Sequence, residues 1–473
     1  MSKFFKFFTV ILIAVIAIKL PANITANASQ QDFSNLKPVK YVFLFIGDGM
    51  SLPQRMAAEE FSKKTGKRKL FINSMPYQAV TTTSSANSFV TDSAASGTAI
   101  ACGEKTKNGV IGMASDCKRK LESIAKVAKK SGRKVGIITS VTINHATPSA
   151  FYANNVSRGN YYNIALDLVN SDFDYFGGGG ADRPDDKKNK DYQGNIYALA
   201  AKAGYTVAHG TKQILAIPAD AKKVFAAGAP NTLPYAIDRK DTLPLSAFVA
   251  DAIKRLDNEK GFFIMTEGGK IDYAGHNNDA GTNIYETIDF DNAVKVAYNF
   301  AQKHPDDTLI VVTGDHETGG FTLGFAGTAF TSAIENIKYQ KCSNGVFNSK
   351  IAALGTKDKV TFEDAKALIT ENFGLIFPES KNITDKRMIL TQPEINRLQK
   401  AFNIQFPNGK YKKGSTLMGE TVRIFTGKCA LAWTTGSHTA LPVLTTAWGK
   451  HAEIFNNFID NTDIAKRLKI IVR

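Results

Sequence analysis

The 473-residue chain predicts an α/β fold with a central, mainly parallel sheet covered by helices on both faces. Three observations carry that expectation. Short apolar runs bounded by glycine, at 41–46, 261–266 and 309–313, read as strands buried on both sides. Stripes at helical spacing precede several of these runs, giving the helix-then-strand rhythm of crossover units. Each of the three runs then leads into metal-binding side chains: Asp48 after the first, Glu267, Asp272 and His276 after the second, Asp315 and His316 after the third. Ligands of open α/β sheets gather beyond the carboxyl ends of the strands, so one edge is expected to hold a multi-metal site.

In chain order, residues 1–28 come first. Lys3 and Lys6 precede an apolar stretch from Phe7 to Ile18, and Ala26-Asn-Ala28 supplies a small-x-small cleavage site. This is the pattern of a secretory signal peptide, and it predicts a periplasmic or secreted protein beginning near residue 29. The stretch is short for a spanning helix of about 20 residues, so no transmembrane anchor is expected in the mature chain. Export suits the four cysteines, because disulfides persist in oxidising compartments. Cys102 with Cys117 would close a short loop, leaving Cys342 with Cys429; four cysteines allow three connectivities. No Cys-x-x-Cys occurs, which argues against a cysteine zinc site.

The formal net charge is +16, with Lys3, Lys6 and Lys19 in the leader. A basic surface attracts anionic substrates. The lysines are spread out and not interleaved with aromatics, so they read as solvated faces, and no specific nucleic acid partner is expected.

Ser93, preceded by Asp92 and followed by small residues, is expected at a helix N-terminus, where free N–H groups and the macrodipole stabilise an anion. On that segment alone, an N-cap Asp or Ser with no further role is the favoured reading. Leu121, Ile124, Ala125 and Ala128 form a helical stripe before the strand 135–139. Gly177 to Gly180 lacks the Lys-Ser/Thr of a phosphate-binding loop and reads as a strand-end turn. Leu245 to Ile253 and Val294 to Ala301 are further stripes, each before one of the ligand-bearing strands. From about 325 to 429 the alternation is lost, leaving polar loops and two helices, 361–373 and 392–402, which predicts an insertion or cap. An amphipathic tail closes the chain. His209, His304 and His451 have no carboxylate pattern around them and read as structural.

No Gly-x-Ser-x-Gly elbow surrounds Ser93, so a metal-activated nucleophile is the more economical reading than a serine–histidine triad. Histidine and carboxylate ligands with an open position suit Zn²⁺, whereas an all-oxygen set suits Mg²⁺. Six segments now define a resemblance: Phe45-Ile-Gly-Asp-Gly-Met50, Thr91-Asp-Ser-Ala-Ala-Ser-Gly-Thr98, His145-Ala-Thr-Pro-Ser149 with Arg158, Thr266-Glu-Gly-Gly-Lys-Ile-Asp272 with His276, Thr313-Gly-Asp-His-Glu317, and Gly436-Ser-His-Thr-Ala440. In residues and order the chain resembles the secreted bacterial, zinc- and magnesium-dependent alkaline phosphatases.

The resemblance implies a three-layer α/β/α sandwich hydrolysing small phosphomonoesters with broad specificity through a phosphoserine on Ser93. It also implies two Zn²⁺ and one Mg²⁺ per subunit. One zinc would be held by Asp272, His276 and His438, the other by Asp48, Asp315 and His316, with Ser93 in contact. Magnesium would take Asp48, Thr147 and Glu267. Arg158, oriented by Asp92, would grip the phosphate, with His145 and Tyr273 lining the same space. Tyr273 stands where other members carry lysine, histidine or tryptophan, and His145 where they carry aspartate or histidine. A homodimer is implied too. The segment between His316 and His438 looks long for the family and would form a lid, a dimer contact or a surface crown. Competing readings are a related phosphodiesterase or sulfatase, and a non-catalytic phosphate- or polyanion-binding protein.

Overall fold

A seven-residue strand, β1 (Tyr41–Gly47), is buried along its whole length because its side chains offer no polar face to water. The computed structural model describes residues 33, 35–380 and 385–473, and the features below belong to the compact unit Leu36–Arg473. The expected signal peptide, 1–28, lies outside the described residues. In chain order β1 is followed by β2 (Tyr77–Thr82), β3 (Lys134–Thr139), β4 (Tyr175–Gly178), β5 (Thr206–His209), β6 (Val224–Ala227), β7 (Phe262–Glu267) and β8 (Thr308–Gly314). Four short strands come next: β9 (Glu317–Thr318), β10 (Phe321–Leu323), β11 (Leu431–Trp433) and β12 (His438–Thr439). The last two are β13 (Val443–Gly449) and β14 (Asn457–Asp460).

Ten of these form one sheet in the order β14-β2-β13-β8-β1-β7-β3-β4-β6-β5. From β8 to β5 every pairing is parallel, and β13 runs antiparallel between β8 and β2. Alternate residues of β1 face opposite layers. Tyr41, Phe43 and Phe45 join the core under the helices Leu245–Leu256 and Ala280–Ala301. On the opposite side the helices Ser93–Cys102, Ile124–Lys130 and Asn461–Ile471 pack together. This is the predicted α/β architecture, and among the described helices none is long and apolar enough to cross a membrane.

Register is what matters for the site. Ile46 pairs with Glu267 on one side and with Thr313 on the other, and Thr139 also pairs with Glu267. Asp48, Glu267 and Asp315 therefore leave the sheet at one level.

Several predicted elements differ in extent. Leu121 precedes its helix, which begins at Ile124 after the Ser123 cap, whose hydroxyl accepts from Lys126 N. The stripe at 294–301 is the end of a helix that starts at Ala280. The segment 325–429 holds the two expected helices, Phe362–Phe373 and Gln392–Gln405, and two more, Asn344–Leu354 and Thr416–Lys428. Gly177 to Gly180 makes a strand end whose close backbone packing requires glycine: a Cβ on Gly178 would lie 1.8 Å from the Thr139 carbonyl oxygen.

The expected Cys102–Cys117 bridge is not formed, and all four cysteines are free. Cys102 is buried at the end of its helix, where burial pushes the thiol up to about 12. Cys117 sits in a turn at φ 58°, its Sγ turned to the Ser115 carbonyl.

The central aromatic packing generates a stability prediction. Phe43 is fully buried, with ring centroids 5.1 Å from Phe262 and 6.0 Å from Phe300. Phe43→Ala should cost about 3–5 kcal/mol. Phe458→Ala, at an exposed edge position, should stay within about 0.5 kcal/mol. Denaturant titration of both variants compares them.

Candidate metal centre and nucleophile

Ser93 opens the helix Ser93–Cys102, and Asp92 caps it by accepting from the Ala95 N–H at 2.9 Å. The helix starts here because Asp92 satisfies one of its free donors, and the small residues that follow let it pack closely. A Cβ on Gly97 would lie 3.3 Å from the Thr147 Cα, so this helix lies against the segment carrying Thr147 and His145. Ser93 is buried, and its Oγ lies 3.1 Å from His316 Nε2. The second Asp92 oxygen accepts from Arg158 Nη1 at 3.0 Å and from Gly109 N at 3.0 Å. That ties the guanidinium to the residue preceding Ser93, and its Nη2 lies 3.2 Å from His145 Nε2, while its side chain stays partly exposed.

Three clusters bring ligand atoms within 4.8 Å of one another: Asp272, His276 and His438; Asp48, Asp315 and His316; and Asp48, His145 and Glu267. Every histidine and carboxylate expected in a metal shell falls into one of them. His145, expected to face phosphate, accepts from Arg158 Nη2 at 3.2 Å and also comes within reach of the third cluster. Thr147, expected as a magnesium ligand, donates from Oγ1 to Asp48 Oδ2 at 3.3 Å. Tyr273 stands with its ring 5.8 Å from the His145 ring, edge to face.

Whether these clusters fit cations is decided by their unpaired atoms. Asp48 Oδ1, Asp315 Oδ2 and Glu267 Oε1 are all buried with no hydrogen-bond partner. Buried polar atoms are rarely left so. Their other oxygens are committed: Asp315 Oδ1 accepts from Gly49 N and His316 N, and Glu267 accepts from Thr139 Oγ1. By contrast the neighbouring Glu317 is fully occupied by Gln54, Gly320, Phe321 and Thr439, which marks it as structural.

The histidine pair points the same way. His276 Nδ1 lies 2.7 Å from the Gly436 carbonyl oxygen, and His438 Nδ1 lies 2.9 Å from the Thr91 carbonyl oxygen. A carbonyl only accepts, so each Nδ1 carries a proton, and in the neutral ring Nε2 presents a lone pair. Those two Nε2 atoms lie 3.1 Å apart, and 3.4 and 3.5 Å from Asp272 Oδ1. Nitrogens this close share a proton or a cation: against the effect of burial, Asp272 raises the His438 imidazole, and the spacing also suits zinc bonds of about 2.0–2.2 Å. His316 Nε2 similarly approaches Asp48 at 3.3 Å and Asp315 at 3.4 Å. Burial, helped by His438, holds His316 well below the usual imidazole range, leaving it a neutral ligand.

The acids respond to the same crowding. Burial, then the charges of Asp315 and Asp272, pushes Asp48 well above the usual range. Burial raises Glu267 to about 7 and Asp315 to about 7. These clustered acids need cations or protons to exist together.

Sequence reasoning did not find the groups that aim the ligands. Thr318 Oγ1 donates to Asp272 Oδ1 at 2.5 Å, and its backbone pairs with His438 through the β9–β12 ladder. The carbonyls of Thr91 and Gly436 have no side-chain signature at all. Thr318, two residues beyond His316, could have been noticed in the motif.

A pH dependence follows from the raised acids. Their folded pKa lies above the unfolded one, so they favour folding at low pH, and that contribution is lost as pH rises through about 7. His145 and His316 are neutral in the fold and lose their unfolded-state protons by about pH 7.5, so they offset only the start of this fall. The melting temperature of metal-stripped protein should therefore fall between about pH 6.5 and about pH 8.5. Zinc and magnesium should raise it more at the higher pH, because metal replaces protons. Scanning calorimetry reads both; a flat profile in stripped protein would contradict the raised acids.

Comparison with known proteins agrees with this geometry. The family model described as alkaline phosphatase matches residues 39–473. Alkaline phosphatase 3 of Bacillus subtilis (strain 168) is 33% identical over 456 residues, covering 94% of this chain and 91% of its own. The crystal structure of a cold-active alkaline phosphatase from a psychrophilic Shewanella sp. superposes with a TM-score of 0.78 at 30% identity, covering 92% of this chain and 100% of that one. A TAB5 alkaline phosphatase mutant, with a histidine replaced by aspartate and Mg bound in its M3 site, matches with a TM-score of 0.64 at 26% identity over 92% of this chain and 99% of that one. The chain belongs to the alkaline phosphatase family and is a metal-dependent phosphomonoester hydrolase.

Proposed function

We propose that this enzyme hydrolyses small phosphomonoesters with broad specificity at alkaline pH, through a phosphoserine formed on Ser93. The observation that carries the proposal is the buried Ser93 hydroxyl, 3.1 Å from the His316 nitrogen that also serves a cation-demanding cluster. Asp272, His276 and His438 would hold one zinc, and Asp48, Asp315 and His316 the other. Asp48, Glu267 and Thr147, with His145 beside them, would hold magnesium; the Mg-bearing TAB5 variant supports magnesium in such a site. When bound, these cations would stabilise the serine alkoxide, the departing oxygen and an attacking hydroxide.

The residues of the chain divide the remaining work. Arg158, held by Asp92, offers a planar fork for two phosphate oxygens and offsets charge spread over the transferring group. Ser93 Oγ bonds to phosphorus as the ester P–O bond breaks, and the alcohol takes up a proton as it leaves. Water then attacks the phosphoserine, inorganic phosphate departs and Ser93 recovers its proton. The helix N-terminus favours negative charge on Oγ and on the phosphoryl oxygens. Tyr273, neutral at physiological pH because burial raises its phenol, adds no charge to this space.

Residues 29–473 read as one catalytic domain with an insertion at about 325–429. The β10–β11 ladder, Phe321 to Leu323 against Leu431 to Trp433, supports this by closing the excursion at its base. The leader pattern of 1–28 favours a periplasmic or secreted enzyme. A homodimer is favoured by exposed Leu52, Met56 and Leu441, brought to one area where Ser51 Oγ donates to the Pro442 carbonyl at 2.7 Å.

Ser93→Ala should lower turnover of a phosphomonoester by several orders of magnitude while bound zinc, measured by elemental analysis, stays unchanged. Chelator should inactivate the native enzyme, and zinc with magnesium should restore it. Full activity in the alanine variant would reject the phosphoserine route. In sedimentation equilibrium the native protein should show twice the chain mass and Leu52→Asp the single mass; an unaltered dimer in the variant would move the interface elsewhere.

A further inference from the structure

Of the three side chains in the Asp272–His276–His438 cluster, His276 is the least enclosed: it is 39% exposed, against 11% for His438 and 5% for Asp272. It is also the last residue of a seven-residue helix, Lys270–His276. A helix that short does not hold itself, and the carbonyls of its last turn need partners from outside.

Those partners come from the 325–429 excursion and from the chain just beyond it. Asn344 opens the helix Asn344–Leu354 and donates from Nδ2 to the carbonyl of Asn277, the residue after His276, at 3.1 Å. Its backbone N–H donates to Asp279 Oδ2 at 2.8 Å, and Gln340 Nε2 donates to Asp279 Oδ1 at 2.7 Å. Asn278, between these two anchors, stands at φ 52°. With its amide turned to satisfy both ends, it donates to the Thr435 carbonyl at 2.8 Å. The next carbonyl, that of Gly436, lies 2.7 Å from His276 Nδ1.

This seat is closed to water: Asp279, Gln340 and Asn344 are 2%, 3% and 6% exposed. It is also closely fitted, because a Cβ on Gly281 would lie 2.1 Å from Gln340 Oε1. Asp279 caps the helix Ala280–Ala301 as well, accepting from Thr282 N at 3.1 Å. One carboxylate thus joins the excursion to the long helix beside the sheet, with the turn 277–279 held between them. The Asp48–Asp315–His316 cluster is built differently. Its side chains follow sheet strands and are fully buried, and their hydrogen bonds go to Gly49, Ser93, Thr147 and the His316 backbone.

We propose that Gln340 and Asn344 are positioning residues for His276, so that seating of the excursion and metal binding at the Asp272–His276–His438 cluster are coupled. The proposal rests on the two-zinc reading above and says what aims one ligand of one site. Neither residue touches the metal or the substrate.

The test is zinc titration of metal-stripped protein against a chromophoric chelator, with magnesium in excess, for the native chain, Asn344→Ala and Gln340→Met. His276→Ala identifies which phase of the titration belongs to its cluster. In both positioning variants that phase should weaken by about tenfold or more while the other keeps its native affinity. Two native affinities in both variants, or an equal fall in both phases, overturns the proposal. Native protein that takes up no zinc overturns the metal reading instead, and the proposal with it.

Coupling is reciprocal, so the native chain supplies a second reading that needs no variant. On adding zinc to stripped protein, amide exchange in 340–346 should slow several-fold more than in the remote helix Ile196–Lys202. Equal slowing in the two segments overturns the coupling.

Discussion

Mutual repulsion among buried acids is the constraint around which this molecule is arranged. Asp48, Glu267, Asp272 and Asp315 are each at most 4% exposed and are crowded at one edge of the sheet. In a low-dielectric interior, like charges at such separations cannot all persist without cations or protons between them. Each acid commits one oxygen to a hydroxyl or backbone donor, and Asp48, Glu267 and Asp315 each keep the other unpaired. The fold thus spends packing stability on holding apart, yet close, groups that a metal ion would join.

Rigid strands make such an arrangement tolerable. β1, β7 and β8 are buried along their lengths and locked in parallel register, so the positions of Asp48, Glu267 and Asp315 follow from three hydrogen-bonded ladders. Tyr41, Phe43, Phe45 and Phe262 pack in the core beneath them. The remaining ligands arrive on secondary pieces tied to that frame. The β9–β12 ladder brings His438 beside Thr318, and the two imidazoles of His316 and His438 stack with centroids 3.6 Å apart. Backbone carbonyls of Thr91 and Gly436 then set the ring tautomers, a form of support that any metal-ligating imidazole requires.

Much of the site was legible because parallel strands place chemistry immediately after their apolar runs. Asp48, Glu267, Asp315 and His316 each sit within two residues of a strand end, where a reader expects them. β13 was not foreseen, for a definite reason. Thr445 and Thr446 interrupt its apolar pattern although both are buried, their hydroxyls being satisfied by Thr81, Thr313, Arg55 and the Ile72 carbonyl. Polarity read along one strand gives no sign that a partner hydroxyl waits across the ladder. The helices Asn344–Leu354 and Thr416–Lys428 were missed for a related reason: they bury small apolar sets against each other within the excursion, with few periodic residues to announce them.

The sequence by itself determined the layered α/β class, the principal ligand types and the residue placed at a helix N-terminus, because these depend on neighbours within a few positions. Tertiary structure alone decided how the candidate ligands group: that His145, bonded to Arg158, comes within reach of Asp48 and Glu267, that His276 meets His438 across 162 residues, and that Cys102 and Cys117 remain thiols. Those outcomes turn on distances and directions between remote segments, which arise when strand register and helix packing are settled together and leave no local periodicity in the chain.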